Sequence, residues 1–541
     1  MTAPVQTWPE EFAARYRAKG YWRGETFPAV LRRQAEARPD AVAVVDEGQR
    51  WTYGELHRRA EAHAAGFLAL GLKPGERVVV QFANVADFFS VVFGLFRAGL
   101  VPVYALAAHR LAEVAHLARR SQAAAYMAGD HAGFDYRALA RALKAEAPTL
   151  RHVVIGGDAQ EFTALEACVG EGGLPGDPDP SAVAFLQISG GSTGLPKLIP
   201  RTHDDYIYSF RASNGICGVT QETVYLVALP VAHNFPMSSP GHMGTLYAGG
   251  RVVLAPAPSP EVAFPLIAQE KVTLTGLVPP LALLWMQAAP GTPHDLSSLA
   301  VLQVGGAKFT PEAARRVRPT LGCTLQQVFG MAEGLVNYTR LDDPGDIVIG
   351  TQGRPISPDD EVLVVDDLGH PVPEGTAGHL LARGAYTIRA YHDDPSANAR
   401  SFTADGFYRT GDIVRRLPGG YLEVRGRAGD HINRAGEKIS AEEVEDHLIA
   451  HPAIFDAAIV SIPDPALGER TCAFVIPRVK TLKVSEVKAF MRRRGIAEFK
   501  VPDQVVFVDA FETTAAGKVS RKELRARLRA GFLGGQEETA S

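Results

Sequence analysis

Short β-branched runs recur between helix-length segments through the first three hundred residues: Ala41 to Val45, Arg77 to Gln81, His152 to Ile155, Ala182 to Ile188, Arg251 to Leu254 and Val301 to Val304. Apolar runs of this length, separated by ten or more residues of helical pattern, are read as parallel strands buried on both faces. They therefore predict an α/β fold with parallel-rich sheets and helices packed on them. Helices are expected over Tyr53 to Leu70, opened by Thr52, and over Glu312 to Leu321, opened by Thr310 and Pro311 as N-cap and first-turn proline. Phe88 to Phe96 is the longest apolar stretch, too short to cross a bilayer and stopped by Arg97, so it predicts a buried helix.

From about Glu361 the texture changes. EVLVVD, GHLLAR and GYLEVRGR are short strands bounded by Gly, Pro and Asp, the pattern of a small antiparallel, barrel-like part. After Arg427 the chain predicts a compact α+β unit: helix 441–450, strands 457–462 and 472–476, helix 485–493, strand 504–508 and a terminal helix. The expected division is a core of residues 1–428 followed by a mobile unit of 429–541, with the glycine-containing Gly426 to Asp430 segment as the boundary.

Charge is uneven. Residues 478–541 hold fourteen Lys and Arg against eight Asp and Glu, in a chain whose net charge is −4. No aromatic residues interleave the basic ones in Arg492-Arg493-Arg494 or in Lys518 to Arg529, which argues against a nucleic-acid stacking platform. Four scattered cysteines, Cys168, Cys217, Cys323 and Cys472, form no CxxC pair, so neither a disulfide framework nor a thiolate zinc site is expected. The amino-terminal segment carries charges of both signs and no leader-length apolar run, and a cytoplasmic setting without a membrane partner is the expectation.

The densest chemical signal is Ser189-Gly190-Gly191-Ser192-Thr193-Gly194-Leu195-Pro196-Lys197, placed directly after a strand. Three glycines allow backbone amides to approach a polyphosphate, and two hydroxyls and a lysine add donors. Leu195 and Pro196 stand between the last glycine and Lys197, which separates the loop from a Walker motif. Glu333 follows the strand Thr324 to Phe329, at the sheet edge where ligands bind. Gly305, Gly306 and Ala307 end another strand with almost no side-chain bulk, so a flat ring could lie against backbone there, with Phe329 flanking it. Asp412, in a glycine turn, is a short acceptor suited to ribose hydroxyls. Lys518, in the polar loop Thr513 to Lys518, is a point cation that could stabilise charge developing at a phosphate.

Taken in order, Ser189 to Lys197, Gly305-Gly306-Ala307, Phe329 to Glu333, Tyr408-Arg409-Thr410-Gly411-Asp412, Gly426-Arg427 and Gly517-Lys518 resemble the adenylate-forming superfamily of acyl- and aryl-CoA synthetases, luciferases and peptide-synthetase adenylation domains. The resemblance covers nearly the whole chain. It implies ATP and Mg2+, with Glu333 holding the metal, Asp412 and Arg427 on the ribose, Gly306, Ala307, Val328 and Phe329 around the adenine, and Lys518 as the catalytic lysine of the first half-reaction. It also implies a domain rotation about position 429, where Gly429 replaces the usual polar hinge residue.

Within that superfamily the chain looks most like the stand-alone aryl acid adenylating enzymes of siderophore biosynthesis. The resemblance rests on Gly20-Tyr21-Trp22, on Ala232-His233-Asn234-Phe235-Pro236-Met237-Ser238-Ser239-Pro240-Gly241, on Gly330 to Tyr338 and on Gly436-Glu437-Lys438. It implies His233 among the catalytic residues, and Asn234, Phe235, Ser239, Gly305, Ala307, Val328 and Val336 around an aryl acid. Asn234 stands where amino-acid adenylation domains carry an Asp, and a neutral amide both accepts from and donates to a phenol beside a carboxylate. Ser239 favours 2,3-dihydroxybenzoate over salicylate, since a hydroxyl bonds the extra 3-OH. The implied partner is an aryl carrier protein with a phosphopantetheine arm; an aryl-CoA ligase or a non-catalytic nucleotide-binding paralogue are the alternatives. Ala332 in place of the usual Thr, and Gly378-His379-Leu380 in place of Gly-Glu-Leu, are the other departures.

Overall fold

The β-branched runs become strands. The structure, a computed structural model, describes residues 8–129, 133–189, 196–428, 431–434, 437–464, 467–494, 496–514 and 518–529. Outside them lie Gly190, Gly191, Ser192, Thr193 and Gly194 of the glycine loop, the hinge position Gly429, Gly436 and Gly517.

Two large sheets form the core of the first 360 residues. In the nine-stranded sheet Val42–Val45, Arg251–Leu254, Val224–Val227, Leu274–Leu277, Val301–Gly305 and Thr324–Gly330 run parallel, with antiparallel strands at both ends. The seven-stranded sheet is parallel as far as Val183–Ile188, and its edge strand Leu198–Thr202 turns back antiparallel. One apolar cluster is continuous across both sheets and the helices between them, which fixes their relative placement. The expected buried helix is Asp87–Arg97; its Gly94 meets helix Tyr53–Ala69 so closely that a Cβ would stand 2.9 Å from the His63 Cβ.

The caps agree with the sequence reading. Thr52 and Glu55 make a reciprocal capping box, and the Thr310 hydroxyl accepts from the Ala313 N–H above Pro311. Glu361–Val365, Ala377–Arg383, Tyr408–Arg416 and Leu422–Arg427 build the expected antiparallel part as a four-stranded sheet. Beyond it a five-stranded sheet, whose strands all lie after residue 430, has its own core under helices Ala441–Ile449 and Val484–Arg493. This last sheet holds a hairpin, His431–Arg434 with Glu437–Ser440, that the sequence reading did not foresee. All four cysteines are buried and free. No helix among the described residues is long and apolar enough to cross a membrane.

The last unit packs against the first. Lys308 and Asp446 form an ion pair at 3.1 Å across the boundary, and the Ser440 hydroxyl donates to the Arg425 carbonyl at 2.8 Å.

Candidate active site

The glycine loop connects two antiparallel strands, so it is the tip of a hairpin. Ile188 pairs with Leu198 below it, the Ser189 N–H donates to the Lys197 carbonyl at 3.1 Å, and the Lys197 N–H donates to Ser189 Oγ at 3.0 Å. Ser189 thus closes the loop from both its backbone and its side chain. The Lys197 ammonium lies 4.5 Å from the centre of the Tyr391 ring.

The same tyrosine reaches the predicted metal residue. Its hydroxyl donates to Glu333 Oε1 at 2.8 Å and lies 3.2 Å from the Tyr408 hydroxyl. Glu333 is 7% exposed and sits in a tight turn, where the Gly334 N–H donates to the Met331 carbonyl. Gly334 has φ +98° and passes the Tyr386 carbonyl so closely that a Cβ would stand 2.0 Å from that oxygen, so only glycine fits. Tyr391 was not found from sequence, and Tyr408 stood there only as the first residue of a motif, with no role of its own.

Asp412 and Arg427 face each other across neighbouring strands. Arg427 Nη1 donates to Asp412 Oδ1 at 2.9 Å and to the Thr410 carbonyl at 3.0 Å. Burial disfavours the Arg427 charge, but Asp412 outweighs it with further help from Glu333, and the guanidinium pKa ends above its usual value.

Lys518 closes the site from the other unit. It ends a small loop in which the Thr514 N–H donates to the Lys518 carbonyl at 2.7 Å and the Lys518 N–H donates to Thr514 Oγ1 at 3.2 Å. Its Cε stands 3.1 Å from the place a Cβ on Gly306 would take, and Gly306 has φ +83°. Burial and the Arg427 charge lower its pKa, partly offset by Asp412 and Glu333. His233 is pushed down to about 3 by burial and by Lys518, so it is neutral across the physiological range. Its Nδ1 accepts from the Phe235 N–H at 3.2 Å, capping the short helix Asn234–Ser238, which places the ring proton on Nε2.

That helix carries the predicted pocket. Tyr206 donates to Asn234 Oδ1 at 2.9 Å, orienting the amide. The tip of the Phe235 ring comes 3.2 Å and 3.3 Å from the Cβ positions of Gly305 and Gly276, and Phe235, Val328 and Val336 share one apolar cluster. Ser239 is buried at the end of the helix turn, its N–H donating to the Phe235 carbonyl. Phe329 is half-buried against the four-stranded sheet, and Ala307 is exposed at the strand end. A cavity of ≈ 570 Å³ between the two units, lined by Pro280, Gln287, Phe455, Asp456, Arg478 and Phe511 among others, includes none of the predicted site residues.

Lys518, His233, Gly306, Asp412, Arg427 and Glu333 therefore converge from six separate stretches of chain, beside a wall of Asn234 and Phe235. A cleft that gathers a lysine, an arginine and two carboxylates is the equipment for binding a nucleotide and activating an acid on it. Residues 31–392 match the family described as AMP-binding enzyme, and residues 443–518 match the AMP-binding enzyme C-terminal domain. The chain belongs to the AMP-binding enzyme family. It is 57% identical over 529 residues to the 2,3-dihydroxybenzoate-AMP ligase of Bacillus subtilis (strain 168), covering 98% of each chain. It is 50% identical to the vibriobactin-specific 2,3-dihydroxybenzoate-AMP ligase of Vibrio cholerae, again over 98% of each. Among solved structures it resembles the apo structure of Mycobacterium smegmatis MbtA, at 48% identity and a TM-score of 0.76, over 96% of this chain and 98% of that one.

Proposed function

We propose that this chain activates an aryl acid with ATP, taking 2,3-dihydroxybenzoate before salicylate, and passes the aryl group to the phosphopantetheine thiol of an aryl carrier protein. The observation that carries the reading is the 57% identity to a named 2,3-dihydroxybenzoate-AMP ligase over 98% of both chains. Asn234 and Phe235 on one short helix and Ser239 just after its end support it, as an amide, a flat wall and a hydroxyl suited to a catechol carboxylate.

In the first half-reaction a carboxylate oxygen of the acid attacks the α-phosphorus of ATP. A new P–O bond forms as the bond to the α,β-bridging oxygen breaks, giving aryl-AMP and pyrophosphate. No protein nucleophile enters, so the chain's contribution is positioning and charge stabilisation. The Ser189 to Lys197 loop holds phosphates, Asp412 and Arg427 the ribose, Gly306, Ala307, Val328 and Phe329 the adenine, and Lys518 the negative charge that grows between carboxylate and α-phosphate. Neutral His233 orients the acid beside Lys518.

Glu333 fits a magnesium ion: it is a hard carboxylate steadied at one oxygen by Tyr391, and Mg2+ is usually held by one or two carboxylates plus substrate phosphates. When bound, the ion neutralises phosphate charge. In the second half-reaction the carrier's thiol sulfur attacks the aryl carbonyl, AMP departs and the thiol proton is released. For this step we assign residues 429–541 a rotation about Gly429 that withdraws Lys518, and the basic face near Arg525 and Arg527 the docking of an acidic carrier.

ATP–pyrophosphate exchange with 2,3-dihydroxybenzoate, salicylate, benzoate and amino acids tests the first half without a partner. Exchange highest with 2,3-dihydroxybenzoate is expected; silence with every aryl acid overturns the proposal, and a salicylate optimum overturns the assignment of Ser239. Carrier acylation exceeding CoA acylation separates this reading from an aryl-CoA ligase, and an unchanged carrier rate after charge reversal at Arg525 and Arg527 removes the docking face.

A further inference from the structure

We propose that Arg201, which lies outside every motif of the site, is a positioning residue that aims Glu333. Arg201 is near the end of strand Leu198–Thr202, the strand that returns from the glycine loop, and its side chain is 2% exposed. Such a buried guanidinium is costly to desolvate, and every bond it makes constrains a neighbour. Nε donates to Asp205 Oδ1 at 2.7 Å, Nη1 to the Ala332 carbonyl at 2.8 Å and Nη2 to the Tyr386 carbonyl at 3.1 Å.

The two carbonyls are informative. Ala332 C=O belongs to the peptide that joins Ala332 to Glu333. Tyr386 C=O is the oxygen against which Gly334 packs, and the Glu333 carbonyl itself accepts from the Ile388 N–H at 2.8 Å. Arg201 therefore ties together the two backbone segments that pass on either side of Glu333, and it does so from the strand that anchors Lys197. Its fork supplies donors in one plane to a carboxylate and two carbonyls, which a lysine ammonium at the same place cannot match. Asp205 holds the fork from the far side through Oδ1, while its Oδ2 accepts from both the Thr202 N–H and the Thr202 hydroxyl.

A second arm leads to the acid pocket. The guanidinium lies 4.7 Å from the centre of the Tyr206 ring, and the Tyr206 hydroxyl orients Asn234. Arg201 touches neither nucleotide nor acid; it acts through the backbone of Glu333 and through Tyr206.

This inference rests on the reading of Glu333 as the residue that serves the metal–nucleotide. The test compares the parent chain with R201K, D205N and Y206F, using calorimetric ATP affinity with and without Mg2+, exchange kinetics and thermal melting. R201K is expected to melt a few degrees below the parent, since a lysine leaves buried carbonyls that the fork satisfied, and to lose most of the gain in ATP affinity that Mg2+ confers. In exchange its kcat should fall about tenfold, as for a misplaced reacting group, while KM for the acid stays within about twofold because a lysine stem still covers Tyr206. D205N, which keeps the shape of the pair, should move the Mg2+ effect in the same direction and less; it carries the test if R201K does not fold. Y206F should raise KM for the acid and leave the Mg2+ effect alone. An unchanged Mg2+ effect in both R201K and D205N, or a melting loss with both KM values rising together, overturns the role of Arg201. Absence of any Mg2+ effect in the parent overturns the reading of Glu333, and the Arg201 role with it.

Discussion

Lys518 reaches across the boundary between the two units to the backbone of Gly306, its Cε 3.1 Å from the position a Cβ there would occupy. Gly306 also has φ +83°, where an L side chain costs about 1–2 kcal/mol. G306A should therefore displace the lysine stem by a few tenths of an ångström and strain the strand end. We expect pyrophosphate exchange to fall roughly tenfold, the scale of one misaligned charge contact. Thioester formation from preformed aryl-AMP should change much less, because in the proposed mechanism that step does not use Lys518. Equal loss in both steps would assign the effect to general damage at the strand end.

On the proposed role of Lys518, its lowered pKa predicts an alkaline limb in exchange. Burial and Arg427 favour the neutral amine, so charge is lost as pH rises through a value below the ordinary lysine range. Exchange should decline there, and K518R, whose guanidinium remains protonated, should show a lower rate that stays flat over the same interval. Neutral His233, at about 3, leaves the region from pH 5 to pH 7 free of a histidine limb. Rate profiles of both half-reactions with parent and K518R check this; an alkaline fall that persists in K518R assigns the limb to another group.

What the sequence could reveal follows how local each signal is. Thr310 and Pro311, three residues from the N–H they serve, announce their helix, and a run such as Val301 to Val304 announces a buried strand. Glu333, Asp412, Arg427 and Lys518 each lie beside a glycine, but it was the order of these stations along the chain, more than any one of them, that made the candidate site legible. Tyr391 was not legible: it lies in the unremarkable stretch Ala390-Tyr391-His392, and its meaning comes from Glu333, fifty-eight residues away. Arg201 gives no local signal for the same reason, since one of its carbonyl partners is 185 residues distant. The hairpin over 431–440 escaped because its strands are short and charged, so period-two burial is masked. Division of the parallel strands between two sheets depends on strand order, which no window of sequence encodes.

The ion pair of Lys308 with Asp446 holds the small unit in the pose that inserts Lys518. Burial pushes Asp446 up to about 6, with Lys308 pulling against that shift, Glu445 adding to it and Arg425 opposing it. The carboxylate is therefore present above about pH 6 and protonated below it. K308M should slow exchange at pH 8 by about threefold to tenfold, near the scale of losing one solvent-accessible ion pair, while thioester formation from preformed aryl-AMP holds or rises. The deficit relative to the parent should shrink at pH 5.5, where the parent pair has lost its negative partner. A deficit independent of pH would show that Lys308 acts without Asp446.

Asp360 supplies a stability test away from the chemistry. Its Oδ2 accepts from the Tyr386 hydroxyl at 2.6 Å and the Ser357 N–H at 3.1 Å, while Oδ1 is buried without a partner among the described residues. Burial raises its pKa to about 7, with the Tyr386 bond opposing the shift. The folded chain thus holds a proton that the unfolded chain releases between the ordinary carboxylate range and about pH 7. By linkage, stability from this group is present at low pH and is lost as pH rises through about 7. D360N keeps an acceptor for Tyr386 and carries no charge, so its melting temperature relative to the parent should climb from pH 5 to pH 8, by roughly 2–3 °C if the shift is fully expressed. Melting curves of both proteins at the two pH values decide it. A difference that does not move with pH would mean that Asp360 is ionised in the fold throughout, and that Tyr386 and the Ser357 amide outweigh its burial.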